Sequence, residues 1–149
     1  MNFNNFTIKS QEVVQKAIDY AKASGQQMIE PEHILKAIIS ESEPIVNFIF
    51  QKTGASAASV KSALDAAIAA LPKVSGGDVV LSRESNEALQ KAVDYSKKNG
   101  DEYVSVEAML MGILQTRCKA SQILKDAGLT EKDLQAAIQE LRKGNKVKD

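Results

Sequence analysis

The chain has 149 residues, 44% of them apolar and 26% charged, with 19 basic side chains against 19 acidic ones. These values describe a globular chain with a core rather than a disordered one, and the lack of any basic field excludes nucleic-acid binding driven by counterion release. One cysteine leaves no internal disulfide framework, and no apolar run approaches the roughly 20 residues that span a bilayer.

The first residues, MNFNNFTIKS, hold neither the charged nor the apolar region of a secretory signal. The expectation is a soluble cytoplasmic protein that binds neither membrane nor nucleic acid. From there on apolar residues recur with a period near 3.6. Thr7 stands where an N-cap is wanted, and Val13, Val14, Ala17, Ile18 and Ala21 form one stripe of a first helix, 8–24. Gly25 suits the left-handed residue that ends it. Pro31 fits the first turn of a second helix, 31–41, and two more are expected at 44–53 and 57–71. In LPKVSGGDVVLS, Pro72, Gly76 and Gly77 then break any helix. Ser82 caps a fifth, 83–99, with Ala88, Leu89, Ala92 and Val93 as its stripe, Ser96 closing the series and Gly100 at its end. Helices at 106–116, 119–127 and 131–142 complete the chain.

The phrase QKAIDYAKASG at 15–25 returns as QKAVDYSKKNG at 90–100, 75 positions later. Pairing residues 7–40 with their counterparts at that offset gives 12 identities in 34, among them Ser10/Ser85, Glu12/Glu87, Glu32/Glu107, Leu35/Leu110 and Ile38/Ile113. After a one-residue slip the offset becomes 74, and Ile49/Ile123, Gly54/Gly128 and Leu64/Ile138 align. This is an internal repeat. A unit of about 70 residues buries too little apolar area to be comfortably stable alone. The expected fold is therefore all-α: a tandem repeat of two four-helix units packed as one pseudo-two-fold domain. The domain is placed at 1–143, with repeat 1 at 6–71, a linker at 72–80 and repeat 2 at 81–143. Residues 144–149 begin a linker or tail, and the cationic run from Arg142 to Lys148 reads as solvated.

A search for chemistry finds no HExxH, CxxC, GxSxG or GxxxxGK[ST]. His33 aligns with Ala108 and Cys118 stands alone, so neither has partners for catalysis or metal binding. No catalytic residue, metal or cofactor is expected in this chain. What repeats is polar: Thr7 and Ser82 open the first helix of each half, and Glu32 and Glu107 sit in the first turn of each second helix. Hydroxyl caps are worth about 1 kcal/mol and first-turn carboxylates about 0.3–1 kcal/mol. The same four residues also form candidate symmetric polar sites beside apolar helix edges. Tyr20 and Tyr95 border their apolar stripes and Tyr103 lies in the loop after Gly100. Met109 and Met111 fall on different faces of one helix, which argues against both being core and for an adaptable binding surface.

With GDEYVSVE, LPKVSG and the doubled helical phrase, residues 3–143 resemble the N-terminal domain of the Clp-type AAA+ unfoldases. ALDAAIAALPKVSGGDV and the closing AIQELRKG are most similar to the ClpB disaggregase branch. The stretches IEPEHILKAI and VSVEAMLMGI differ from the GTEHILLGL-like phrase of ClpC and ClpA. The resemblance implies a substrate-interacting module that engages unfolded or aggregated polypeptide and passes it to an ATP-driven hexameric ring. Those ring modules, with their ATP and Mg, lie outside this chain, which would be a fragment or a stand-alone homologue. It implies a polypeptide-binding set of Thr7, Asp101 and Glu107, with an apolar groove walled by Tyr95 and Ala108; Met111, as an adaptable side chain at the seam of the halves, is expected to add to that surface. Lys91 stands where the family is often apolar. An alternative implied by the ClpC/ClpA branch is adaptor docking, or phosphoarginine recognition by Thr7, Ser82, Glu32 and Glu107. The isolated domain is expected to be monomeric.

Overall fold

The computed structural model describes residues 1–74 and 76–143; the expected tail at 144–149 lies outside them. In chain order the elements are α1 (Ile8–Ala23), β1 (Met28–Ile29), α2 (Pro31–Glu41), α3 (Glu43–Thr53), α4 (Ala57–Ala69), β2 (Val80–Leu81), α5 (Arg83–Lys98), α6 (Val106–Gln115), α7 (Lys119–Asp126) and α8 (Glu131–Arg142). The eight helices start and stop close to where caps and breakers place them. Thr7, Ser56, Ser82, Ser105 and Thr130 each accept, at 3.1 Å, the backbone N–H three residues on, satisfying donors a helix start leaves free. Gly25 and Gly100 take φ of 67° and 75°, the left-handed turn that a side chain would strain.

The two halves are interlocked. α3 packs on α8 and α4 on α7, while α1 meets α6 as α2 meets α5. Each of these pairs maps onto its partner when the repeats are exchanged. At the centre α2 touches α6, and α2 also contacts α1, α3, α4 and α7. Every residue of α6 from Val106 to Leu114 is buried, as expected of a helix that is apolar all round. The fold is the all-α, pseudo-two-fold arrangement expected from the repeat.

Two short pairings across the halves were not legible in the periodicity. β1 and β2 run parallel, with Met28 opposite Val80 and Ile29 opposite Leu81, so Val80, read as linker, is strand. Phe6 forms a parallel bridge with Val104. These are the same contact seen twice, since Leu81 and Val104 are the repeat mates of Phe6 and Ile29. In each, the residue that caps the first helix of one half donates to the loop of the other: Thr7 N–H to Val104 O at 3.0 Å, Ser82 N–H to Ile29 O at 3.2 Å. Two residues are too few to show a period of two.

Helix α5 crosses α6 at backbone contact. A Cβ at Gly112 would lie 2.2 Å from the Ala88 carbonyl oxygen and 2.9 Å from the Ala92 nitrogen. The small residues Ala88, Ala92 and Gly112 thus let two backbones touch, and that contact positions the second-half loop described next.

Candidate functional site

The turn at Asn99–Gly100 brings the chain off α5 so that the Asp101 N–H returns to Ser96 O at 2.9 Å. Asp101 is thereby held against the start of α6, where Ser105 caps and Glu107 occupies the first turn. Into this corner comes Arg142, the last residue of α8. Its Nη1 meets Asp101 Oδ2 at 2.6 Å, its Nε meets Glu107 Oε2 at 3.0 Å, and its Nη2 donates to Ser105 Oγ at 2.8 Å. The Arg142 side chain is 10% exposed, Asp101 0% and Glu107 8%. Burial by itself pushes the guanidinium down, but the charge of Glu107 and the bonds to both carboxylates outweigh it, so the group sits above its ordinary value.

Arg142 was therefore misplaced by the sequence reading, which put it at the head of a solvated cationic run. It continues the line Leu134, Ile138, Arg142 at steps of four along one face of α8, and the first two of these are core. That register was the available signal.

Tyr95 lies next to the same corner on α5. Its ring is buried, and its hydroxyl donates to Gln135 Oε1 on α8; burial raises its pKa above the usual tyrosine value. Beside it is an open depression of about 170 Å³ lined by Lys91, Asp94, Tyr95, Lys98 and Gln115. The Lys91 ammonium donates to Gln115 O at 2.8 Å and pairs with Glu87 at 3.2 Å. Lys91 is thus spent on the end of α6 and leaves its aliphatic stem as lining.

Two members of the expected groove are elsewhere. Ala108 is 0% and Met111 2% exposed, and Met109 is buried as well. The expectation that methionines on different faces of α6 cannot both be core holds for a surface helix; α6 is the central one, with core on every side. Neither Ala108 nor Met111 lies on the surface of the depression.

The four repeated polar residues have equal surroundings at the hydroxyls and unequal ones at the carboxylates. Thr7 and Ser82 make the same bonds: each hydroxyl accepts a backbone N–H from the serine three residues on, and donates to that serine's Oγ, at 2.9 Å from Thr7 and 3.1 Å from Ser82. Through the seam strands Thr7 shares an edge with the Val104–Glu107 stretch, and Ser82 with Ile29–Glu32. Glu32 is buried, and burial raises its pKa, with Glu30 and Glu84 adding to the rise and Lys119 opposing it. Its repeat mate Glu107 holds Arg142, whereas Ile68 occupies the position matching Arg142 in the first half.

His33 is a packing residue. It is fully buried; its Nδ1 accepts the Glu30 N–H at 2.9 Å, so Nε2 carries the proton to Gln26 Oε1 at 2.6 Å, and Gln26 passes the chain on to Ile68 O at 2.7 Å. Burial, with Lys36 nearby, lowers its pKa to about 4. Cys118 stands at the N-cap of α7, half-buried, and burial pushes its thiol up, away from reactivity. Among the described residues no group of three His, Cys, Asp or Glu side chains converges as a metal site would need, and no helix is long and apolar enough to cross a membrane.

Comparison with known proteins fits this architecture. The family described as the Clp repeat (R) N-terminal domain matches residues 5–147. Chaperone protein ClpB of Bacteroides thetaiotaomicron is 57% identical over 147 residues, which cover 99% of this chain and 17% of that protein. ClpB of Porphyromonas gingivalis is 50% identical with the same coverage. The chain thus spans about a sixth of the length of these relatives. The solved Hsp104 N-terminal domain from Candida albicans superposes with a TM-score of 0.86 over 98% of this chain and 97% of that one, at 18% identity, a likeness of fold. The family match over nearly the whole chain and the repeat geometry agree: this chain belongs to the Clp repeat (R) N-terminal domain family, and it is of the ClpB type.

Proposed function

We propose that the domain engages unfolded or aggregated polypeptide at the second-half depression and presents it to the AAA+ ring of a ClpB-type disaggregase. The observation that carries this reading is the surface between α5 and the end of α6, where the buried Tyr95 ring and the Lys91 stem line an open hollow beside the acidic corner. Such a surface suits a client read by its lack of structure rather than by its sequence. The edge of an aromatic ring and the aliphatic stems of Lys91 and Lys98 give contact area that does not depend on a client's sequence. Thr7, Asp101 and Glu107 act behind it. The carboxylates hold Arg142, which fixes the loop and the end of α8, the helix whose Gln135 holds the Tyr95 hydroxyl; Thr7 ties the edge through Val104. Catalysis, with its ATP and Mg, belongs to ring modules outside this chain, and the domain works as a cytoplasmic, monomeric unit tethered to them.

The second reading, adaptor docking or phosphoarginine recognition at the paired hydroxyls and carboxylates, meets an obstacle at Glu107. One of its two carboxylate oxygens, Oε2, is already given to a guanidinium of the chain itself. A titration separates the two. Labelled, reduced and carboxymethylated α-lactalbumin, followed by fluorescence anisotropy with no adaptor present, is expected to bind with a Kd of about a micromolar or weaker, since an unfolded client loses chain entropy on binding. Tyr95→Ala, shown by circular dichroism to remain folded, weakens it about tenfold, or ~1.4 kcal/mol. A folded variant that binds like the parent would remove Tyr95 from the client surface, and no binding by the parent would favour the adaptor reading.

A further inference from the structure

The doubled phrase places a tyrosine in each half, and the first-half copy has a hollow of its own. Tyr20, Lys36, Ile39, Lys61, Leu64 and Asp65 line a depression of about 170 Å³ between α1, α2 and α4. Its floor is apolar: Leu64 is core and Ile39 packs against the core. The Tyr20 hydroxyl donates to Ser40 Oγ at 3.0 Å, which fixes the ring as the Gln135 bond fixes Tyr95.

The charges around the two rings differ. In the second half Lys91 is held by Glu87 and by the Gln115 carbonyl. In the first, Glu12, the repeat mate of Glu87, pairs with Lys9 at 3.1 Å. Lys16, the mate of Lys91, instead leans over Tyr20 with its ammonium 5.3 Å from the ring centroid. Lys36 approaches the same ring at 4.8 Å, and Lys61 lines the hollow as well. Two ammonium groups thus lie over one ring, and a third lysine lines the hollow beside it. The lining supplies a single carboxylate, Asp65, paired with Lys36 at 3.4 Å and 68% exposed. Like charges converging on an apolar floor leave a positive potential that an incoming carboxylate relieves.

We infer that the Tyr20 depression is a second polypeptide-contact site, selective for an extended segment that carries Asp or Glu beside an apolar side chain. The apolar side chain lies over Tyr20, Ile39 and Leu64, and the carboxylate meets Lys16 and Lys61. The two halves would then divide the work. The Tyr95 hollow, whose Lys91 is neutralised, takes segments without regard to charge, and the Tyr20 hollow takes acidic ones. The inference deepens the polypeptide-binding reading given above and rests on it.

The test uses the full chain and two fluorescein-labelled dodecapeptides, one alternating Leu with Glu and one alternating Leu with Lys. By anisotropy at low salt, the Glu peptide should bind about tenfold more tightly than the Lys peptide, and added salt should erode the difference. Lys16→Glu with Lys61→Glu should abolish the preference, Lys16→Gln with Lys61→Gln should reduce it, and Tyr95→Ala should leave it in place. Equal binding of the two peptides by the parent would overturn the inference. So would a folded lysine variant that keeps the preference, or its loss in Tyr95→Ala. If the Glu peptide shows the expected pattern while unfolded lactalbumin fails to bind, the client reading falls and the Tyr20 site stands as an acidic-peptide site.

Discussion

The Glu30 N–H bonded to His33 Nδ1 fixes the ring proton on Nε2, and the bond to Gln26 then needs a neutral imidazole. Protonation would put a second proton where the Glu30 N–H points, in a site without water access. Its folded pKa, about 4, lies below the ordinary imidazole value of 6.5. The unfolded chain therefore binds more protons between these values, and stability from this residue is complete above pH 6.5 and falls as pH drops toward 4. His33→Ala, the residue its repeat mate Ala108 already is, removes that dependence. The difference in unfolding free energy between parent and variant, from urea titrations, should shrink by at most about 3 kcal/mol between pH 7 and pH 4. A constant difference across that range would show that His33 is not held neutral. At this scale the sequence was readable for residues whose role is local, such as the caps Thr7 and Ser82. It was misleading for Arg142 and Met111, whose roles depend on which helix the fold makes central.

At the scale of elements, helix boundaries were legible where they are written in adjacent residues, as in the hydroxyl caps Thr7, Ser56, Ser82, Ser105 and Thr130 and the glycines after α1, α3 and α5. The seam strands were not, because a two-residue pairing exists only through its partner in the other half. The α5–α6 crossing falls between these cases. Ala88, Ala92 and Gly112 are visible as small residues, but only the packed helices show that Gly112 faces a carbonyl. Alanine is favoured over glycine in a helix by about 1 kcal/mol, yet a Cβ 2.2 Å from the Ala88 oxygen forces the helices apart. The clash should win. Gly112→Ala is expected to destabilise the domain by about 1–3 kcal/mol in urea or thermal unfolding. A neutral or stabilising effect would mean that α5 and α6 are not held at this distance. Ala37, the repeat mate of Gly112, shows that the first-half crossing of α1 on α2 accepts a methyl group there.

Across the whole molecule the repeat does two things. It closes a core that neither half completes, through α3 on α8 and α4 on α7. It also builds two tyrosine hollows from one helical phrase, and the local charges then make them different. The symmetry was legible from 12 identities in 34; its breaking at Ile68 against Arg142 was not, because the Arg142 pairs exist only once α8 is packed against the Asp101–Glu107 corner, whereas the Lys9–Glu12 pair is local to α1. The central claim is that the α5–α6 face around Tyr95 meets unfolded polypeptide. Its most direct test is an amide chemical-shift map of the full chain during titration with reduced, carboxymethylated α-lactalbumin. The account predicts shifts concentrated at residues 91–98 and around Gln115, with a second set near Tyr20 when the client is rich in acidic residues. Shifts confined to the face formed by α3 and α8, or none at saturating client, would contradict it.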